Sequence, residues 1–120
     1  MFLPATWYVR AQRGRAALAA MFDALMARVD LLALPTMRSE APSSGAASVR
    51  VAGRDIPMHT AATAFTMPFN LTGMPALTLP CGHGSHGLPI GIQLVGRRGD
   101  DWRVLKAGAR LEDLLPGVRA

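Results

Sequence analysis

A chain of 120 residues that is 50% hydrophobic and only 18% charged has the composition of one globular domain, which excludes a disordered or low-complexity polymer. Its formal net charge of +5 raises nucleic acid as a partner. The basic residues argue against it: all are arginine except Lys106, they scatter from Arg10 to Arg119, and no aromatic side chains interleave with them as a stacking platform. They read as a solvated arginine surface, with Arg10, Arg13 and Arg15 and the pair Arg97-Arg98 as the tightest groups.

No apolar run approaches the ~20 residues needed to span a bilayer. The opening M-F-L-P-A-T-W-Y-V-R is cut by Pro4 and carries no basic leader, so it does not read as a secretion signal. A lone cysteine, Cys81, excludes an internal disulfide framework and suits a reducing compartment. The expectation is a soluble cytoplasmic protein with neither nucleic-acid nor membrane partners. At this length roughly two-thirds of the unfolded surface can be buried, with little surplus.

From Ala5 to Val29, Leu18, Met21, Phe22, Leu25 and Val29 recur at three- and four-residue steps, which predicts an amphipathic helix with this stripe buried. Arg13, Arg15, Asp23 and Arg28 take the opposite side. Leu31-Leu32-Ala33-Leu34, stopped by Pro35, predicts a strand buried on both faces. Residues 35–48, rich in Pro, Ser, Gly and Ala, read as a loop. Val49 and Val51 alternate with Arg50 before A-G-R-D and Ile56, the pattern of a small hairpin. Thr60 to Leu71 reads as a helix that Pro68 kinks or stops early.

Ala76 to Pro80 and Ile90 to Val95 are strand-like, joined by the turn formers of C-G-H-G-S-H-G-L-P. A last helix opens at Asp100 or Asp101, either placed to cap it, with Val104, Leu105, Gly108, Leu111 and Leu115 on one face and Pro116-Gly117 as its close. Helices and strands so mixed predict an α/β or α+β layer architecture.

Several residues could carry chemistry, and each has a plainer reading. Ser43-Ser44-Gly45 is the only adjacent serine pair, but it lies in a loop without flanking glycines whose amides could crowd an oxyanion. Lys106 falls one residue off the last helix's apolar face, where nothing lowers its pKa toward that of a base; a solvent-directed ammonium is favoured. Cys81 with His83 or His86 could form a thiol–imidazole pair, yet no orienting third group is evident and a packing role at a strand end is favoured. The two histidines with His59 and Cys81 make a poor zinc set, so no metal is expected. The glycines of G-H-G-S-H-G run into a strand and precede no Lys-Ser pair, which excludes a phosphate loop.

The block from Phe65 to Gly96, F-T-M-P-F-N-L-T-G-M-P-A-L-T-L-P-C-G followed by G-L-P-I-G-I-Q-L-V-G, resembles the C-terminal segment of the amidase signature family, serine hydrolases of amide bonds. A-T-W-Y-V-R-A-Q-R resembles that family's helix opening and R-V-D-L-L-A-L-P-T one of its strands, so the resemblance runs from about Ala5 onward. It implies an α/β fold, a mixed sheet flanked by helices, with residues 1–120 forming a single C-terminal segment.

The family's Ser-Ser-Lys catalytic set comes from an upstream Gly/Ser-rich part that these residues do not contain. The resemblance therefore implies an amidase portion that is inactive alone, with no cofactor, a small-molecule amide substrate and the missing N-terminal part as its partner. A non-catalytic binding or assembly module derived from the fold, and one half of a split amidase, remain open alternatives. No catalytic residue is assigned to this chain; Thr63, Phe65 and Thr66 are the expected substrate-binding residues. The related glutamine-dependent amidotransferases carry an aspartate where this sequence has Thr63, so the resemblance favours a general amidase. A further departure, Arg97-Arg98-Gly99-Asp100-Asp101 after Gly96, bears only on the subfamily.

Overall fold

A computed structural model describes residues 2–115. Helix α1 spans Ala5–Met26, an alanine-rich stretch of high helix propensity that opens after Pro4, whose fixed φ suits a helix entry. Strand β1 follows (Leu32–Pro35), then a hairpin of β2 (Ser48–Val51) and β3 (Arg54–Pro57), two short helices α2 (Met58–Thr63) and α3 (Met67–Thr72), strands β4 (Ala76–His83) and β5 (Pro89–Val95), and helix α4 (Asp101–Leu114). The architecture is mixed α/β.

The strands form a three-stranded sheet in the order β1-β5-β4 and the two-stranded β2-β3 ribbon. All their pairings are antiparallel, so any parallel pairing of a mixed sheet lies beyond the described residues. Strand β5 is central; Gln93 faces Leu34 on one side and Thr78 on the other. A bulge between Pro80 and Gly82 bends β4, with Gly82 at φ 144°, a backbone angle that a side chain disfavours. Cys81 sits in this bulge, half-buried, its Sγ 3.6 Å from the Ile90 carbonyl.

The core is small. Met26, Phe69, Met74 and Val95 are buried together, with Phe22, Val29, Leu32 and Leu34 packed around them. Phe22 meets Phe69 edge to face at 5.3 Å, a geometry that adds to the burial term. Helix α4 seats Val104 and Gly108 against the sheet. A Cβ on Gly108 would lie 2.2 Å from a Leu77 methyl carbon, so glycine sets how closely helix and strand approach.

Three arginines tie these layers. Arg97 donates from Nε to the Met26 carbonyl and from Nη2 to the Val29 carbonyl, both at 3.0 Å. It thereby meets one carbonyl that the end of α1 leaves without a helical partner, Met26, and one in the segment that follows, Val29. Arg98 pairs with Asp23, and Arg103 pairs with Asp100 and Asp30. The Arg97-Arg98 pair, exposed as expected, thus also staples α1 to the end of β5.

Other expectations shift for identifiable reasons. Met21 and Leu25 are exposed while Met26, off the predicted stripe, is buried, because α1 is covered on the side that faces α3 and the Met74–Val95 core. Strand β1 alternates half-buried Leu32 and Leu34 with exposed Ala33 and Pro35, since one of its faces meets nothing among the described residues. The expected helix over 60–71 begins at Met58 and breaks at residues 64–66, upstream of Pro68, which takes a first-turn position of α3 where its missing N–H costs nothing. Asp100 makes no side-chain cap; its carboxylate takes the Arg103 guanidinium instead. Leu105 is exposed. The expected stop at Pro116-Gly117 lies outside the described residues.

The packing leaves much surface open. The radius of gyration is 16.8 Å, against about 14 Å for a compact chain of this length. The accessible surface is 8637 Å², roughly 2,300 Å² more than folded monomers of this mass expose. Trp7, Tyr8, Met21, Trp102, Leu105 and Leu114 are among the exposed apolar side chains.

Candidate functional site

Thr63, Phe65 and Thr66 come together because the chain breaks between α2 and α3 instead of running through. Thr63 closes α2 and donates its hydroxyl to the His59 carbonyl at 2.7 Å. The Thr66 N–H and hydroxyl return to the Thr63 carbonyl at 3.2 and 3.4 Å, closing the turn. The Phe65 carbonyl accepts Gln93 Nε2 at 3.0 Å. Gln93 is 2% exposed at the centre of β5, so this bond anchors the turn to the most buried strand; a buried amide left without it would cost about 1–3 kcal/mol.

Over the Phe65 ring lies Arg38, its guanidinium carbon 5.2 Å from the ring centre, within cation–π range. Arg38 belongs to the loop after β1. Two residues on, Glu40 binds the β4–β5 turn: its carboxylate accepts the Ser85 N–H at 2.6 Å, the Ser85 hydroxyl at 3.0 Å and the His86 N–H at 3.2 Å. It also pairs with His86 Nδ1 at 3.3 Å.

Burial raises the Glu40 carboxyl, but the hydrogen bonds from His86 and Ser85, with the His86 charge, outweigh it and hold the group below its ordinary 4.5. Gly84 makes the clamp possible, since a Cβ there would lie 2.0 Å from the Glu40 carboxyl carbon. Loop, β2 and turn border an open cleft of about 640 Å³ lined by Arg38, Ser39, Glu40, Arg50 and His86 among others.

The remaining candidates stay apart. Ser43 and Ser44 are exposed, and no hydrogen bond among the described residues joins either hydroxyl to a base. Lys106 is exposed on α4, beside the groove lined by Trp102 and Leu105. His86 turns to Glu40 and Ser85, not to Cys81. Among the described residues no three His, Cys, Asp or Glu side chains gather as a metal site, and no helix is long and apolar enough to cross a membrane. Arg38, Glu40 and Gln93 went unassigned in the sequence, where no local pattern marks them.

Set beside known proteins, the fold is that of part of an amidase. The family model described as amidase matches residues 3–105, and the chain belongs to the amidase signature family. It is 38% identical over 107 residues to the A subunit of the glutamyl-tRNA(Gln) amidotransferase of Neisseria meningitidis, covering 88% of this chain and 21% of that one. With the 6-aminohexanoate-cyclic-dimer hydrolase of a Pseudomonas strain it shares 41% identity over 97 residues, covering 74% of this chain and 20% of the relative. A crystal structure of an amidase superposes with a TM-score of 0.89 at 34% identity, over 94% of this chain and 26% of that one. The chain thus spans about a fifth of the length of the curated relatives it matches.

Proposed function

We propose that this chain is the C-terminal portion of an amidase that hydrolyses carbon–nitrogen amide bonds of a small-molecule substrate in the cytoplasm. The Ser-Ser-Lys set is supplied by the N-terminal amidase part, and no cofactor takes part. The surface area carries this reading. An excess of roughly 2,300 Å² over a folded monomer has the size of one side of a large obligate interface. It includes Trp102 and Leu105 on the outer face of α4 and the unpaired edges of β1 and β4, which a neighbour must cover to prevent edge-to-edge association.

In this reading the turn at Thr63, Phe65 and Thr66 is the chain's contribution to substrate binding. Gln93 holds its backbone in place, and the half-buried Phe65 ring gives the substrate an apolar wall. The Thr63 hydroxyl is spent on the His59 carbonyl and brings no negative charge, which favours a general amidase over an amidotransferase that recognises an α-ammonium group.

The purified chain should leave p-nitroacetanilide intact. Turnover by the chain alone, abolished by a serine-directed phosphonate, would overturn the proposal.

A further inference from the structure

The loop after β1 is fixed at both ends. The Thr36 N–H donates to the Gly91 carbonyl at 2.9 Å, and the Ala47 carbonyl accepts the Met58 N–H at 3.0 Å. Between these anchors, among the described residues, Glu40 alone joins the loop to another element by hydrogen bonds or an ion pair. Its carboxylate takes the Ser85 N–H and hydroxyl, the His86 N–H and the His86 ring. The bond from the Ala46 N–H to the Ser43 carbonyl stays within the loop. Residues 37–46 are thus a strap with a single latch.

Two observations show that this strap is lightly held. The Ser39 hydroxyl is buried with no hydrogen-bond partner, so closure keeps a polar group from water at a cost that opening relieves. Arg38 is exposed and makes no hydrogen bond or ion pair among the described residues; it rests on the Phe65 ring, and an exposed cation–π contact is too weak to hold the strap by itself. Closure therefore depends on Glu40, which fits only because position 84 has no side chain. We propose that residues 37–46 move between a closed state, in which the Glu40 latch sets Arg38 over the Phe65 ring, and an open state, in which that face of the ring is free for an apolar group of the substrate. The Phe65 turn itself stays in place, because Gln93 holds it from β5. The consequence for substrate rests on the amidase reading; the motion is read without turnover, so the two can fail separately.

The test is NMR on the 120-residue chain with two substitutions that break the latch from opposite sides. Glu40→Ala removes the carboxylate, and Gly84→Ala puts a Cβ 2.0 Å from its carboxyl carbon. Each should at least halve the NOE intensities between the Arg38 side chain and the Phe65 ring, while the Gln93 side-chain amide keeps its native shifts. Arg50→Gln alters a residue of the same cleft that pairs with Asp55 and should leave both readouts unchanged. In the native chain, the opening that exposes the Ser85 and His86 amides to hydrogen exchange should be about tenfold or more populated than the one that exposes the amides of β5.

Native Arg38–Phe65 intensities in both latch variants, or equal loss in Arg50→Gln, would overturn the proposal. So would loss of the native Gln93 shifts together with the Arg38 contact, since the turn would then be unfolding and not uncovering. If neither latch variant folds, the native chain decides: exchange at Ser85 and His86 only through the opening that exposes β5 would overturn it.

Discussion

Replacing Arg97 with alanine removes the bond between α1 and the end of β5. Its guanidinium reaches the Met26 and Val29 carbonyls, each at 3.0 Å, and places a cation at the negative end of the α1 dipole. Hydrogen bonds from a charged donor contribute about 1.5–3 kcal/mol each. Water can replace the exposed one at Val29, while the Met26 carbonyl belongs to a residue only 1% exposed. The net loss is about 2 kcal/mol. With an unfolding entropy of about 2.1 cal/mol/K per residue, a chain of 120 residues should melt roughly 8 °C lower.

Far-UV circular dichroism during heating, with urea unfolding as the independent measure, reads this directly. Arg97→Lys keeps the charge but not the two-pronged reach, and should recover about half of the loss. Arg98→Ala breaks an ion pair whose side chains are 50% and 45% exposed and should cost under about 1 kcal/mol. An Arg97→Ala melt within about 2 °C of the native chain, or a fully stable Arg97→Lys, would refute the reasoning.

Phe69→Ala removes the ring at the centre of the small core, 3% exposed and in contact with Phe22; a loss of about 3–5 kcal/mol should leave the urea transition barely measurable. Gly73 ends α3 with φ 70°, so Gly73→Ala should cost about 1–2 kcal/mol, read from the same urea midpoint. Glu40 has a folded-state pKa below its ordinary 4.5, so the stability it adds is present above that ordinary value and is lost as pH falls through the depressed one. An acid titration followed at the Ser85 and His86 amides should show both resonances moving together below pH 4.5. Glu40→Gln should flatten the transition.

Where neighbours in sequence are also neighbours in space, the fold was legible. Two-residue alternation in Val49-Arg50-Val51 marked β2 of the hairpin, and the glycine-rich turn after Cys81 joins β4 to β5. The apolar stripe of α1 was misread because amphipathicity records every surface a helix covers in its complete setting, and only the part near Phe69 is covered here. The same holds for Leu105 on α4 and for the open face of β1.

Thr63, Phe65 and Thr66 drew notice through the resemblance alone. Their assembly on one turn depends on Gln93, which is 28 residues from Phe65 and carries no local signal. Arg38, Ser39 and Glu40 sit in a loop without period, where nothing in the sequence announces that Glu40 will bind a turn some 45 residues away.

The most direct measurement is covalent labelling of the assembled hydrolase. This chain, co-expressed with the catalytic portion of an amidase, is treated with a fluorophosphonate, and the labelled serine is located by mass spectrometry. A stable complex that hydrolyses p-nitroacetanilide and carries the label only on the companion polypeptide is the predicted result. Label on Ser39, Ser43, Ser44, Ser48 or Ser85 of this chain, with activity that needs no companion, would contradict it.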